Sequence, residues 1–280
     1  MHYWQTSRYD IDLSRPRVMG IVNITPDSFS DGGRHADTRS ALAHCERLLR
    51  EGADILDLGG ESSRPGAQAL PLQEELDRVR PVLREAVRLG VPISVDTYKP
   101  EVMRMALDVG ADIVNDIFAL RSPAAAEAIA AHPRCGVCLM HMQGEPKSMQ
   151  AAPHYEDVAA EVRCFLEERA QALRERGVAA ARIVLDPGYG FGKSVEHNFE
   201  LLRRQPELLA PGYPLLAGWS RKSSLGAVTG RDVADRLAAS VAAALAAVER
   251  GARIVRVHDV AATVDALKVW AHAGLPSWQA

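Results

Sequence analysis

PISVDTYKPEVMRMALDVGADIVNDI, residues 92–117, is the stretch whose reading decides the fold. An apolar run of strand length, PISVDT (92–97), leads to Pro100, whose fixed φ and missing N–H suit the first position of a helix. Helical spacing continues over 100–109, Gly110 stops it, and a second apolar run, DIVNDI (112–117), follows at once. Two strands separated by a helix of this length are parallel neighbours, because a tight hairpin can join only antiparallel ones.

The same unit recurs from end to end. Further apolar runs are VMGIVN (18–23), DILDLGG (54–60), GVCLMHM (136–142), RIVLDPG (182–188), PLLAGWS (214–220) and IVRVHD (254–259), which with the opening pair makes eight. Helical stretches are expected near 39–52, 71–89, 122–132, 155–177, 194–209, 233–250 and 260–273 in addition to 100–109. Asp37-Thr38, Ser122-Pro123 and Ser194 with Glu196-His197 give start signals, and Gly52, Gly90, Gly177 and Gly251 stand where helices stop. No linker, charge block or low-complexity segment divides the chain. Eight strand-helix units predict an α/β fold, a single-domain TIM (β/α)8 barrel over 1–280 with its core at about 18–274. The competing doubly wound sheet lacks a G-x-G-x-x-G after its first strand.

Bulk properties narrow the function. At 280 residues, 47% hydrophobic and 25% charged with net charge -3, the chain can bury a large core but offers no bulk charge for nucleic acid or a membrane surface. Any anion site must be local. No apolar run reaches the roughly 20 residues that span a bilayer, and MHYWQTSRYDIDLSRPR lacks the apolar core of a signal peptide, so a cytoplasmic location is expected. Of Cys45, Cys135, Cys138 and Cys164, Cys135 and Cys138 make a CxxC, but a spacing of three along a strand sends the pair to opposite faces, and no partner set completes a zinc site.

Polar residues end nearly every apolar run: Asn23, Glu61-Ser62-Ser63-Arg64, Asp96, Asn115, His141, Asp186, Lys222, and Arg256 with His258. In a barrel these ends share one face, the active one. Strand parity adds that Ser94 and Asp96 oppose Ile93 and Val95, and that Arg256 and His258 oppose Val255 and Val257. The apolar members should cover the helix layer and the polar ones point into the barrel mouth. There is no G-x-S-x-G and no H-E-x-x-H, which removes support from serine or zinc hydrolysis. Carboxylates and carboxamides suit a planar heterocycle rich in N–H donors, and the cations suit a diphosphate.

With these residues in view, the chain resembles the dihydropteroate synthase family over nearly its whole length. MGIVNITPDSFSDGG (19–33), DLGGESSRPGA (57–67), SVDTYKP (94–100), VNDI (114–117), LMHMQGEP (139–146), LDPGYGFGK (185–193), GWSRKSSLG (218–226) and RVHD (256–259) carry the likeness. The resemblance implies a transferase of folate biosynthesis, a sulfonamide target. It joins (7,8-dihydropterin-6-yl)methyl diphosphate to 4-aminobenzoate, giving 7,8-dihydropteroate and diphosphate, with Mg2+ as cofactor and a homodimer as the expected assembly. It further implies pterin contacts from Asp96, Asn115, Met140, Asp186, Phe191 and Lys222 and diphosphate contacts from Asn23, Ser63, Arg256 and His258. Asn23 is the implied metal ligand, Phe29, Ser63, Arg64 and Ser223 form the aminobenzoate and loop set, and Asp96, Lys222, Arg256 and His258 are the implied catalytic groups. Ser63 stands where the family often has Thr, so the hydroxyl is kept and the methyl lost, which bears on contacts to aminobenzoate and its sulfonamide mimics.

Such a reaction fits the residue types. Loss of diphosphate from a methylene on a pterin leaves a ring-stabilised cation, and a neutral aromatic amine needs positioning rather than a base. The loop NITPDSFSDGG (23–33) is long for a βα connection and carries Phe29, expected to wall the aminobenzoate ring when the loop closes. Pterin-binding methyltransferase barrels are the nearest alternative, but they are expected to lack the TPDSFSDGG loop and the R-x-H pair. A non-catalytic paralogue should have lost loop or anion residues that are present here.

Overall fold

A computed structural model describes residues 2–24, 33–62, 64 and 66–273, the side chains of 33–37 excepted. Two short strands precede the barrel, β1 (Tyr3–Gln5) and β2 (Asp10–Asp12), paired antiparallel. Eight parallel strands then close in chain order: β3 (Arg17–Asn23), β4 (Ile55–Gly59), β5 (Ile93–Asp96), β6 (Ile113–Asp116), β7 (Gly136–Met140), β8 (Ile183–Asp186), β9 (Leu215–Ala217) and β10 (Ala252–Val257), with β10 pairing back to β3. All eight expected strands are therefore present, in the expected barrel.

Side-chain alternation builds two layers from each strand. Val18, Val22, Leu56, Leu58, Ile93 and Val95 pack outward against helices, as do Val114, Val137, Leu139, Ile183 and Leu185 on the other side. Met19, Ile55, Ile113, Cys138, Val184, Leu216 and Ile254 take the opposite parity and fill the barrel floor. The CxxC divides as parity requires, Cys138 entering the barrel and Cys135 the helix layer, and all four cysteines are free.

Sequence reading did not anticipate the β1–β2 hairpin. It caps the floor: Trp4 is wholly buried among the interior residues, and its indole N–H donates to the Arg182 carbonyl at 2.9 Å. Arg8 clamps the hairpin from outside through a 2.5 Å ion pair to Asp112 just before β6. A fully buried Trp supplies more apolar contact than any other side chain. Trp4→Ala should therefore cost about 3–5 kcal/mol of stability. Urea unfolding measures this, and a loss under about 1 kcal/mol would show that the hairpin is an appendage rather than a plug.

Helices follow the strands: α1 (Gly33–Arg50), α2 (Leu72–Ala86), α3 (Pro100–Val109), α4 (Pro123–Ala131), α5 (Val158–Arg174), α6 (Val195–Arg203), α7 (Ser223–Thr229), α8 (Leu237–Glu249) and α9 (Val260–His272). Several helices differ from expectation, among them α8, which starts at Leu237 rather than 233 because a 3-10 turn occupies Val233–Asp235. α1 starts at Gly33, ahead of Asp37-Thr38. α5 starts later because Asp157 caps it, accepting from the N–H groups of Ala159 and Ala160. α6 ends at Arg203 and gives way to a 3-10 turn over Gln205–Leu209, since Pro206 cannot donate to a continuing α-helix. α7 was not expected, because seven residues with two serines and a glycine carry no readable apolar period. Pro100, Pro123 and the Ser194–His197 capping box behave as read.

Candidate active site

Two residues beyond each floor residue, the same interior parity turns polar. Asp57 follows Ile55, Asn115 follows Ile113, Asp186 follows Val184 and Arg256 follows Ile254, while Ser94 and Asp96 complete the ring from β5. Arg256 joins three strands: its Nε donates to Asp57 Oδ2 at 2.6 Å and its Nη2 to Asp96 Oδ2 at 2.7 Å. Asn115 Nδ2 donates to the same Asp57 oxygen at 3.3 Å. Asp57 Oδ1 and Ser94 Oγ, on register-paired residues of β4 and β5, are buried with no hydrogen-bond partner among the described residues.

This density of charge in an enclosed space moves the titrations. Burial drives the Asp96 carboxyl up to about 7, against the pull of Arg256 and with a further push from Asp57. Burial also raises Asp186, which the Gly188 N–H and the charges of Lys222 and Arg256 oppose. Lys222 is lowered by burial to about 8, with Asp186 holding it up. Burial works against the charge of Arg256, but Asp57 and Asp96 outweigh it and raise its pKa. The mouth is thus a set of mutually compensating charges, poised for a ligand bearing both donors and negative charge.

Lys222 owes its direction to the turn before α7. Arg221 has φ 60, an uncommon left-handed conformation for a side-chain-bearing residue, and the turn is held on three sides. The Arg221 N–H donates to Ser240 Oγ at 2.9 Å, its guanidinium pairs with Asp259 at 2.6 Å, and Ser220 Oγ lies 3.0 Å from His258 Nδ1. The Lys222 ammonium then sits 4.0 Å from the centroid of the Phe191 ring, in the loop after β8.

His258 is oriented by the same serine, whose Oγ also accepts the His258 backbone N–H at 3.1 Å. With the hydroxyl donating to Nδ1, the ring proton stays on Nε2. Burial first, then the charges of Arg221 and Arg256, lower this imidazole to about 3, and Arg64 acts in the same sense. His258 is therefore held neutral by its surroundings, an N–H donor whose protonation a bound anion would favour.

An apolar cluster forms one wall: Ile117, Met140, Met142 and Met149 are buried, with Tyr98, Phe118 and Phe191 packed against them. The turn after β6 is fixed by Asp116, which accepts the N–H groups of Phe118 at 2.8 Å and Leu120 at 2.7 Å while Ala119 and Leu120 hold positive φ. Asn23 ends β3 partly exposed, Arg64 is exposed on the connection after β4, and Ser223 is exposed at the start of α7. Phe29 and Ser63 lie outside the described residues.

Sequence reading missed Asp57, Lys193 and Ser220 as site residues. Parity could have found Asp57, since a carboxylate between two apolar neighbours on an inward face has no solvent to meet. Ser220 and Lys193 carry no such signal, and their roles come from contacts across the mouth.

Around the barrel, the groups separate into two arcs. Asn23, Arg64, Arg256 and His258 belong to the neighbouring strands β10, β3 and β4 and their extensions, whereas Asn115, Met140 and Asp186 belong to β6, β7 and β8. Asp96 on β5 and Lys222 after β9 stand at the two borders. One arc offers cations and an amide, the other acceptors and an apolar wall.

Residues 19–258 match the family model described as pterin binding enzyme. The chain is 55% identical over 278 residues to dihydropteroate synthase of Neisseria meningitidis serogroup C, covering 98% of each chain. Among solved structures, it superposes with a TM-score of 0.89 and 54% identity on Xanthomonas albilineans dihydropteroate synthase with 4-aminobenzoic acid, covering 95% of this chain and 96% of that one. Burkholderia cenocepacia dihydropteroate synthase complexed with 7,8-dihydropteroate gives a TM-score of 0.89 at 54% identity, covering 97% of this chain and 96% of that one.

Proposed function

The chain belongs to the pterin binding enzyme family and, within it, to the dihydropteroate synthases, and from that premise we propose how its residues divide the work. It is a transferase: (7,8-dihydropterin-6-yl)methyl diphosphate and 4-aminobenzoate condense to 7,8-dihydropteroate and diphosphate. The observation that carries the division is the two-arc arrangement of the mouth.

The acceptor arc takes the pterin. Asp186 receives the amino and ring N–H edge, Asn115 pairs with a neighbouring donor and acceptor, and Met140 and Phe191 cover the ring faces. Lys222 donates from the border and balances Asp186. The cationic arc takes the diphosphate through Arg256, His258 and Arg64. As the C–O bond to diphosphate breaks, Asp96 faces the cation left on the pterin methylene, and the neutral amine attacks to form the C–N bond before losing its proton. Ser63, Ser223 and Phe29 are the proposed contacts of the aminobenzoate side.

Mg2+ is a hard cation that keeps water and substrate phosphate oxygens and needs few protein ligands. The Asn23 side chain, a neutral oxygen donor at the end of β3 in the cationic arc, fits that demand, and the described residues contain no denser cluster of His, Cys, Asp and Glu for another metal. When bound there, the ion would help neutralise the departing diphosphate. Homodimer formation draws support from apolar side chains left exposed on the last helices, Leu237 at 46% and Val269 at 70%. No described helix is long and apolar enough to cross a membrane.

The direct test incubates the protein with pterin diphosphate, 4-aminobenzoate and Mg2+. Dihydropteroate and diphosphate should appear in equal amounts; absence of both would contradict the reading.

A further inference from the structure

Lys193 is a cation that the reaction as described does not use. It is buried at the barrel mouth, where its Nζ is surrounded by four acceptors: His141 Nδ1 at 2.9 Å, the Gly188 carbonyl at 3.0 Å, the Phe191 carbonyl at 3.1 Å and, more distantly, the His141 carbonyl at 3.5 Å. Each partner leads to the pterin arc. The Gly188 N–H donates to Asp186 Oδ1 at 2.7 Å, and the Phe191 ring carries the Lys222 ammonium 4.0 Å above it. His141 follows Met140, and its backbone N–H donates to the Asp186 carbonyl at 2.9 Å.

The loop that Lys193 closes has no slack. Gly188 and Gly192 both hold positive φ, and a Cβ at Gly188 would run into the His141 carbonyl oxygen, as one at Gly192 would run into that of Gln143. The β8 loop therefore lies directly on the chain leaving β7. Two backbones pressed together in this way bring carbonyl dipoles close, and a buried ammonium is the group that makes such an approach favourable.

We propose that Lys193 is a positioning residue for pterin recognition, holding the β7 and β8 loops so that Asp186, Phe191 and Lys222 converge on one ring. The assignment rests on the pterin reading of the acceptor arc. Charge balance agrees with the geometry: burial lowers Lys193 to about 7, Asp186 holds it up, and Lys193 in turn lowers Asp186. His141 is held well below its usual pKa, by burial first and by Lys193 next, which keeps Nδ1 free to accept.

Steady-state kinetics of Lys193→Met, His141→Leu and His141→Asn separate positioning from bulk damage. Lys193→Met should raise KM for the pterin diphosphate by about tenfold or more while leaving KM for aminobenzoate within about twofold. His141→Leu, which removes the Nδ1 acceptor, should shift in the same direction by less. His141→Asn, which can offer Oδ1 in its place, should lie closer to wild type than His141→Leu. If Lys193→Met does not fold, the two His141 variants decide the matter alone. A pterin KM within about twofold of wild type in the folded variants, or equal rises in both KM values, overturns the proposal. Asp186→Ala measured alongside distinguishes the two failures: if it too keeps its pterin affinity, the reading of the arc is wrong, whereas if it alone loses affinity, only the role of Lys193 falls.

Discussion

Asp186→Ala is expected to abolish useful pterin binding. Asp186 sits on β8 in register with Met140, almost wholly buried, with one oxygen turned to the Gly188 N–H. Removing the carboxylate leaves the pterin N–H edge without its acceptor and leaves Lys222 buried without the charge that holds its pKa up. Hydrogen bonds to a charged group contribute about 1.5–3 kcal/mol each, so loss of a paired acceptor should cost on the order of 100-fold or more in affinity. Calorimetry with the pterin alone checks this, and an unchanged affinity would remove Asp186 from the pterin site. The fold should tolerate the change better than the site does, because deletion takes away a carboxyl whose charged form burial already disfavours.

Arg256→Ala is expected to damage both fold and function. Its guanidinium neutralises Asp57, which is wholly buried, and Asp96 at the rim of the floor. Breaking a buried pair by removing one partner costs about 3–5 kcal/mol, and partial exposure of Arg256 places this case near the lower end. Without Arg256, the Asp96 carboxyl, which burial already raises to about 7, should take up a proton more readily, so the variant should recover stability as the pH falls. The sign follows from the cause: a carboxyl whose folded pKa lies above its unfolded value weakens the fold as pH rises and it ionises. Diphosphate capture should fall by roughly 30-fold or more, since a charge-assisted contact is lost and two carboxylates are left without their cation. Urea unfolding at pH 5.5 and pH 8 tests the first part: a variant equally destabilised at both would contradict the charge argument.

These expectations show what was legible in the chain. The barrel followed from a repeating apolar run and helix, and the direction of Ser94, Asp96, Arg256 and His258 followed from period-two alternation, which the closed sheet preserves. Asp57 was overlooked because attention to strand ends passes over a residue in mid-strand, although the parity that placed Asp96 applies equally to it. Lys193 looks like any surface lysine after a glycine-rich loop, and only the contact between the β7 and β8 loops reveals its burial. The Trp4 plug was illegible for a similar reason: a three-residue strand has no period to read, and its burial depends on an opening that exists only once the barrel has closed.

The division of the mouth into two arcs is tested most directly by calorimetry of the pterin and of the pterin diphosphate against wild type, Asp186→Ala and Arg256→Ala. Asp186→Ala should lose affinity for both ligands, while Arg256→Ala should keep its affinity for the pterin and lose the extra affinity that the diphosphate confers. If Arg256→Ala weakened both ligands equally, the cationic arc would not be the diphosphate site and the account of the mouth would be wrong.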